Sequence, residues 1–390
     1  MIMKPPSKSK AQTTGAGSRA AFTLFELLTV LAILAILLGL TIPVMGRARK
    51  TARIANNTTL LREVAVGSQQ FRLDNADASP SYFTAKELAS TENQTRGFSP
   101  MQSILLNLMG GIVPSDATSS NDVNDPILEV GPTAARTVKA RASAMRAGES
   151  RARGSKAGYI NLPPANLRTP FGGDDDEYPP VGPSRIDPSL QASGVYAAHA
   201  RLPEFVDDFG SPVLAWVEDE RPSPQQDFAQ AGTDSFALMD AGSGNDSNAP
   251  KGRFYVDSNR LYLHGDFYQE SALSPRLGRA NAYTAEQRRS ALSAVTGSVA
   301  FPLGSQWLNG APFSANAFAM ARASRSNIVL HSAGPDQVWL LNSDRGGVLA
   351  GIKPNQAGVV DQNKAVQLPR DTRNPDPMSD FDDIIVGVGN

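Results

Sequence analysis

Glu26 is the first residue whose position asks for a chemical explanation. It sits in the stretch A-A-F-T-L-F-E-L-L-T-V-L-A-I-L-A-I-L-L, residues 20–38, where every other side chain is apolar, small or a threonine. An ionised carboxylate in such a helix costs about 2.5–3.5 kcal/mol at the centre of a bilayer, so it is normally partnered. Three histidines, His199, His264 and His331, are the other residues suited to proton chemistry. None stands in a metal-binding spacing such as H-E-x-x-H, and no G-x-S-x-G elbow or phosphate-cradling loop accompanies them. His264 in L-Y-L-H-G-D and His331 in I-V-L-H-S-A-G close apparent strands, and nothing in the order of the residues builds a triad around them. The expectation is a protein without catalytic activity. Cysteine is absent, which removes disulfides, thiol nucleophiles and cysteine metal sites.

The element that must position Glu26 is a helix. Leu27 to Gly46 contains no charged residue, and as a helix this run spans about 30 Å, the thickness of a bilayer core. It is longer than the apolar region of a secretory signal, and Arg47, Ala48, Arg49 and Lys50 come after it rather than a small-residue cleavage site. Ahead of it, residues 1–21 carry Lys4, Lys8, Lys10 and Arg19 and no acid. Basic residues on both sides leave orientation undecided by charge. Beyond the apolar run, Ile54, Leu61, Val64, Ala65, Ser68 and Phe71 keep helical spacing, and Asp74-Asn75-Ala76-Asp77 with Ser79-Pro80 reads as a stop. A helix from 22 to about 73 would be roughly 78 Å long, with Pro43 removing one backbone donor and kinking it.

Ala21-Phe22-Thr23-Leu24-Phe25-Glu26-Leu27-Leu28 closely resembles the cleavage and methylation signal of type IV pilins and type II secretion pseudopilins. The departure is Ala21, where that family more often has Gly. The resemblance implies a cut between Ala21 and Phe22 by a prepilin peptidase, with Glu26 becoming the fifth mature residue and Pro43 falling at a common kink position. It implies that the Glu26 carboxylate pairs with the Phe22 amine of a neighbouring subunit, which would offset part of the cost of each charge in lipid. The partners implied are the peptidase, other pilin or pseudopilin subunits, the inner-membrane assembly platform and inner-membrane lipid. The implied place is a bacterial inner membrane, crossed once, leader cytoplasmic and head extracytoplasmic, and then a filament. The length of the head points to a minor or lineage-specific subunit rather than the main repeating one. A membrane-anchored binding or adhesion protein, using the helix only as a tether, is the alternative.

The rest of the chain is expected to supply the head. With 390 residues, a net charge of -1, 33 Gly and 28 Pro, composition argues for a folded, turn-rich protein and gives no reason to expect a nucleic-acid partner. The expected division is a leader over 1–21, a membrane-spanning half-helix over 22–46, an amphipathic half over 47–75, a variable loop-rich region over 76–200 and a β-rich head over 201–390. Residues 134–156 are basic and 171–177 acidic, and both read as solvated segments. Strands are expected over 212–218, 235–240, 327–331, 337–341 and 383–388, with a hairpin from 253–257 and 260–264 around Ser258-Asn259. The fold class is therefore α+β: a long N-terminal helix packed on an antiparallel sheet, pilin-like, with a large insertion.

Two later stretches resemble the major pseudopilin of type II secretion. Asp207-Asp208-Phe209-Gly210-Ser211-Pro212 is similar to a turn of that family, and Ser332-Ala333-Gly334-Pro335-Asp336 with Asp382-Asp383-Ile384 is similar to its calcium-binding C-terminal loop. By that resemblance calcium is the implied cofactor; the alternative is an ordinary acidic loop capping strand ends, with no cofactor. Asp336, Asp344, Asp380, Asp382 and Asp383 supply suitable oxygen atoms for an ion that takes 6–8 oxygen ligands.

Overall fold

The structure is a computed structural model that describes residues 24–117, 127–141, 145, 158–169, 199, 201–219, 254–263, 295–296, 326–340 and 382–388. It has a mixed α+β architecture, with one long N-terminal helix and small antiparallel sheets. The chain divides into two units, Met1–Thr51 and Ala52–Asn390.

Helix α1 runs from Leu24 to Asp74 as one element of 51 residues, continuous through position 43. In the first unit every described side chain of this helix is exposed. The helix is long and apolar enough to cross a membrane. The hydroxyls of Thr29 and Thr41 are satisfied internally. Thr29 donates to the carbonyls of Phe25 (2.7 Å) and Glu26 (3.0 Å), and Thr41 to that of Leu38 (3.2 Å). Such back-bonding lets a hydroxyl sit on an apolar helix without an orphan donor.

In the second unit the same helix becomes one-sided. Asn57, Leu60, Leu61, Val64, Ala65 and Ser68 are buried, whereas Arg53, Arg62 and Glu63 are exposed. The inward positions recur every three to four residues, which is the helical repeat expected from the sequence. Gly67 permits the closest approach: a Cβ there would lie 2.2 Å from Ile160 Cγ2. The helix stops where Ala76 and Asp77 turn left-handed (φ 54° and 65°). The Asp77 amide then reaches the Arg72 carbonyl at 2.8 Å, and the Arg72 guanidinium pairs with the Asp77 carboxylate.

The core against which α1 packs is built around helix α4, Pro100–Leu108, preceded by the short helices α2 (Ala85–Leu88) and α3 (Asn93–Arg96). Ser99 caps α4 in a reciprocal capping box with Gln102, and Pro100 takes its first position. Nearly all of α4 is buried, including Gln102 and Ser103, whose side chains are hydrogen-bonded inside the fold. Strands β1 (Ile127–Val130) and β2 (Val138–Arg141) pair antiparallel, as do β3 (Leu167–Arg168) and β4 (Glu204–Phe205). The expected boundary at residue 200 is therefore crossed by a strand pair. The described part of 76–200 holds α4 and much of the core: Met101, Ile104, Leu105, Leu106 and Leu108 are all buried.

The main sheet has the order β5–β6–β7, all antiparallel: Leu214–Val217, Ile328–Ser332 and Ile384–Val388. These match three of the strands expected from sequence. One face presents Ala215, Val217, Ile328, Leu330 and Val388 to the core shared with α1 and α4. The other face carries Leu214, Trp216, Val329 and His331. Both faces are covered, so β5 and β6 are buried at every position and read as continuous apolar runs.

Three expected strands are not formed over their described residues. The hairpin over 253–264 is replaced by a 3-10 turn, Val256–Asn259, running into helix α5, Arg260–Leu263. Ser258 and Asn259 explain this, since the Ser258 hydroxyl bonds the Tyr255 carbonyl (2.7 Å) and the Asn259 amide bonds the Ala215 carbonyl (2.9 Å). The strand over 337–341 is replaced by turns in which Gln337 and Leu340 are left-handed (φ 66° and 49°). The Asp336 carboxylate accepts from the Val338 amide at 2.9 Å, an Asx turn that outcompetes extension. The strand expected over 235–240 lies outside the described residues.

Candidate functional site

The residues that the sequence singles out fall in two places, the start of α1 and the end of the main sheet. Glu26 lies in the first turn of α1 as described, with its side chain exposed. A carboxylate is favoured there by the positive end of the helix dipole. Ala21 and Phe22, the residues of the expected cut, lie outside the described residues, as do Asp344, Asp380 and His264. The backbone of α1 passes through Pro43 without a break in the element.

At the sheet, strand pairing brings together what is far apart in sequence. Ser332 pairs with Ile384 in the β6–β7 ladder, so the segments 332–336 and 382–384 are adjacent. Gly334 is the closest point. Its φ is +69°, and a Cβ there would stand 2.2 Å from the Asp382 carbonyl oxygen. Only glycine tolerates both the left-handed backbone and that approach. Asp336, Asp382 and Asp383 therefore share one end of the sheet, but their carboxylates are not gathered round a common point. Asp383 turns inward and accepts from His331 Nε2 (2.6 Å) and the Leu340 amide (3.2 Å), while Asp336 is used in its own turn. Among the described residues no group of three metal-ligating side chains converges.

His331 is fully buried on the sheet face away from α1. Trp216 Nε1 donates to its Nδ1 at 3.4 Å, so the ring proton sits on Nε2 and goes to Asp383. Burial disfavours the imidazolium and lowers His331 to about 3. The third position of a triad is thus occupied by an indole, which has no nucleophilic atom. His199 is similar. Its Nδ1 donates to the Arg96 carbonyl (2.5 Å), its Nε2 accepts from the Gly131 amide (3.1 Å), and burial lowers it to about 4. Both rings are neutral cross-links between segments distant in sequence.

On the opposite face, next to β6, a polar junction ties α1 to the sheet. Asn57 donates to Ser332 Oγ at 2.8 Å, and Ser332 Oγ donates to Asp207 at 2.7 Å. The other Asp207 oxygen accepts from the Phe209 and Ser211 amides (2.9 and 2.8 Å), closing the D-D-F-G-S turn. The neighbouring Asn56 donates to Asp208 at 2.5 Å, and Asp208 accepts from Asn166. The sequence marked Asp207 and Gly210 only as part of a turn. One signal for the junction is in the sequence: Asn57 interrupts the buried apolar face of α1, with Asn56 beside it on the exposed side.

Glu204 was not legible as special. It is fully buried at the N-terminus of α4, accepting from the hydroxyl of the capping residue Ser99. Burial raises it to about 8, against the favourable Ser99 and Tyr262 hydroxyls, so it is a neutral acid at pH 7.

An open cavity of about 630 Å³ lies between the end of α1, the segment after it, α4 and the end of β5. Phe71, Tyr82 and Phe83 supply ring surface, and Asn75, Asn107 and Asp219 supply polar groups. The Arg136 guanidinium lies over the Tyr82 and Phe83 rings and pairs with Glu87 at 2.7 Å. Asp219 accepts from the Tyr255 hydroxyl at 2.9 Å.

Compared with protein-family models, with curated proteins and with solved structures, the chain matches none.

Proposed function

We propose that this chain is a structural subunit of a type II secretion pseudopilus or a type IV pilus-like filament, cut between Ala21 and Phe22 and assembled through its N-terminal helix. The observation that carries this reading is α1 itself. One unbroken helix joins an apolar stretch exposed on every side, with Glu26 in its first turn, to a half whose inward face is built into an α+β core. A helix used only as a soluble core element would bury its most apolar residues, and this one exposes them. In lipid the all-round apolar surface is satisfied, and a neighbouring subunit's amine would neutralise Glu26. The Asn57–Ser332–Asp207 junction then fixes how the head is held on the helix that would pack into the filament. The reading assigns no reaction to the chain: the two described histidines have both ring nitrogens engaged inside the fold.

The test is N-terminal mass spectrometry of the membrane-fraction protein, expressed with and without a prepilin peptidase. A new N-methylated terminus at Phe22 that depends on the peptidase supports the reading. An intact Met1 terminus, or a cut beyond Pro43, refutes it.

The cavity beside Phe71 and Tyr82 favours a second reading, a membrane-tethered binding protein. The two separate on Glu26, which a tether does not need and a filament subunit does.

A further inference from the structure

The cavity beside the end of α1 is lined by polar groups that are mostly acceptors. The Asn75 amide nitrogen donates to the Phe71 carbonyl (2.7 Å) and the Tyr159 hydroxyl (3.3 Å), and that of Asn107 donates to the Pro80 carbonyl (2.6 Å). The hydroxyls of Ser81 and Thr84 donate to the Phe83 carbonyl (2.7 Å) and to Glu87 (2.9 Å). With these donors used inside the fold, the two amides keep their acceptor oxygens, and Glu218 and Asp219 add two carboxylates to the lining. Burial, with the Asp219 carboxylate beside it, raises Tyr255 above its ordinary value, so the proton of the Tyr255–Asp219 bond stays on the phenol. Among the described residues no Lys or Arg lines the cavity, and the neighbouring Arg72 and Arg136 are paired with Asp77 and Glu87. The complement to such a lining is a cation rich in donors.

The rings decide which cation. Arg136, which is not part of the lining, lies over Tyr82 and Phe83 at 5.7 and 6.0 Å from the ring centres and pairs with Glu87. The cavity joins the same two rings to two other carboxylates. A guanidinium is planar, stacks on aromatic faces, and carries five N–H donors and no acceptor, whereas an ammonium is a compact point charge. The wall is preformed, since the Tyr82 amide donates to Ser103 of α4 at 3.1 Å and Phe71 packs edge-on against Tyr159 with ring centres 5.3 Å apart. A volume of about 630 Å³ leaves room beyond one side chain for the residues that flank it.

We propose, building on the binding-protein reading of the head, that this cavity receives an arginine side chain from a peptide segment of a partner protein. Glu218, Asp219 and the Tyr82 ring hold the guanidinium, and the amide oxygens of Asn75 and Asn107 take backbone N–H groups of the flanking residues.

The probes are acetyl-Gly-Arg-Gly-amide and its citrulline and lysine counterparts, titrated by calorimetry into the full chain in detergent. Citrulline keeps the planar head and loses the charge. The arginine peptide should bind about tenfold or more tightly than the citrulline peptide, as expected for charge-assisted hydrogen bonds, with the lysine peptide between them. Glu218→Gln should weaken the arginine peptide about tenfold and leave the citrulline peptide unchanged. Tyr82→Leu, at a half-exposed position, keeps both carboxylates and should weaken it about threefold. Equal binding of the arginine and citrulline peptides, or of the arginine and lysine peptides, overturns the proposal and leaves a binding head standing. Binding of no peptide at millimolar concentration overturns the proposal together with the binding-protein reading. Arginine binding that neither substitution changes lies elsewhere on the chain and overturns the site.

Discussion

His331 gives the sharpest quantitative test of the core. Its imidazole is neutral because Trp216 donates to Nδ1 and burial lowers the group to about 3, whereas the unfolded chain titrates near 6.5. A lowered histidine contributes stability that is whole above the unfolded value and is lost as pH falls towards the folded one. The loss begins below about 6.5 and steepens to about 1.4 kcal/mol per pH unit. Between pH 6 and pH 4 it amounts to about 2.5 kcal/mol for this one residue. His199, lowered to about 4, adds a similar slope. Glu204 works in the opposite direction, so the total curve alone does not isolate His331. The variant His331→Gln does. Gln keeps a donor for Asp383 but takes up no proton, so the difference in stability between the two proteins should change by about 2.5 kcal/mol from pH 6 to pH 4, in favour of the variant. Urea unfolding in detergent, tracked by the fluorescence of the buried Trp216 and Trp339, measures it. Parallel curves would show that His331 is not held neutral. A difference of opposite sign would mean that it is an imidazolium paired with Asp383, whose stabilising effect is lost as pH rises rather than falls.

Glu204→Gln should remove the penalty that accumulates as pH rises from 4.5 towards 8, improving stability by about 3 kcal/mol at pH 7 relative to pH 4, checked by the same unfolding titration. Gly334→Ala should cost more than about 2 kcal/mol, because it adds left-handed strain to a contact with the Asp382 backbone; a thermal melt within about one degree of the unsubstituted protein would refute the packing described at that loop. Asn57→Ala removes the 2.8 Å bond from α1 to Ser332 and should cost about 1–3 kcal/mol in urea unfolding. Glu26→Ala should leave the chain cleaved and in the membrane fraction but absent from cross-linked assemblies. Normal assembly of that variant favours the tether.

Local pattern made part of this fold legible in the sequence. The inward face of α1 repeats every three to four residues, and β5, β6 and β7 are short Val, Ile and Leu runs bounded by turn residues, so both could be placed without tertiary knowledge. Apolar, aromatic segments at 253–264 and 337–341 misled for the same reason, since their pattern is that of strands while Ser258, Asn259 and Asp336 bond the backbone into turns. The site was not legible because each of its contacts depends on register. In the observed pairing His331 lies opposite Leu214 and Ile385, and Ser332 opposite Ile384. Alternation then puts the hydroxyl beside Asn57 of α1 and the imidazole beside Trp216 and Asp383. A slip of one residue would exchange them, setting an imidazole against the apolar face of α1 and leaving Asp207 without the Ser332 hydroxyl. Several of the polar groups buried on either side of β6 are thus the ones that make the alternative register expensive. They belong to the specification of the fold as much as to any function the head performs.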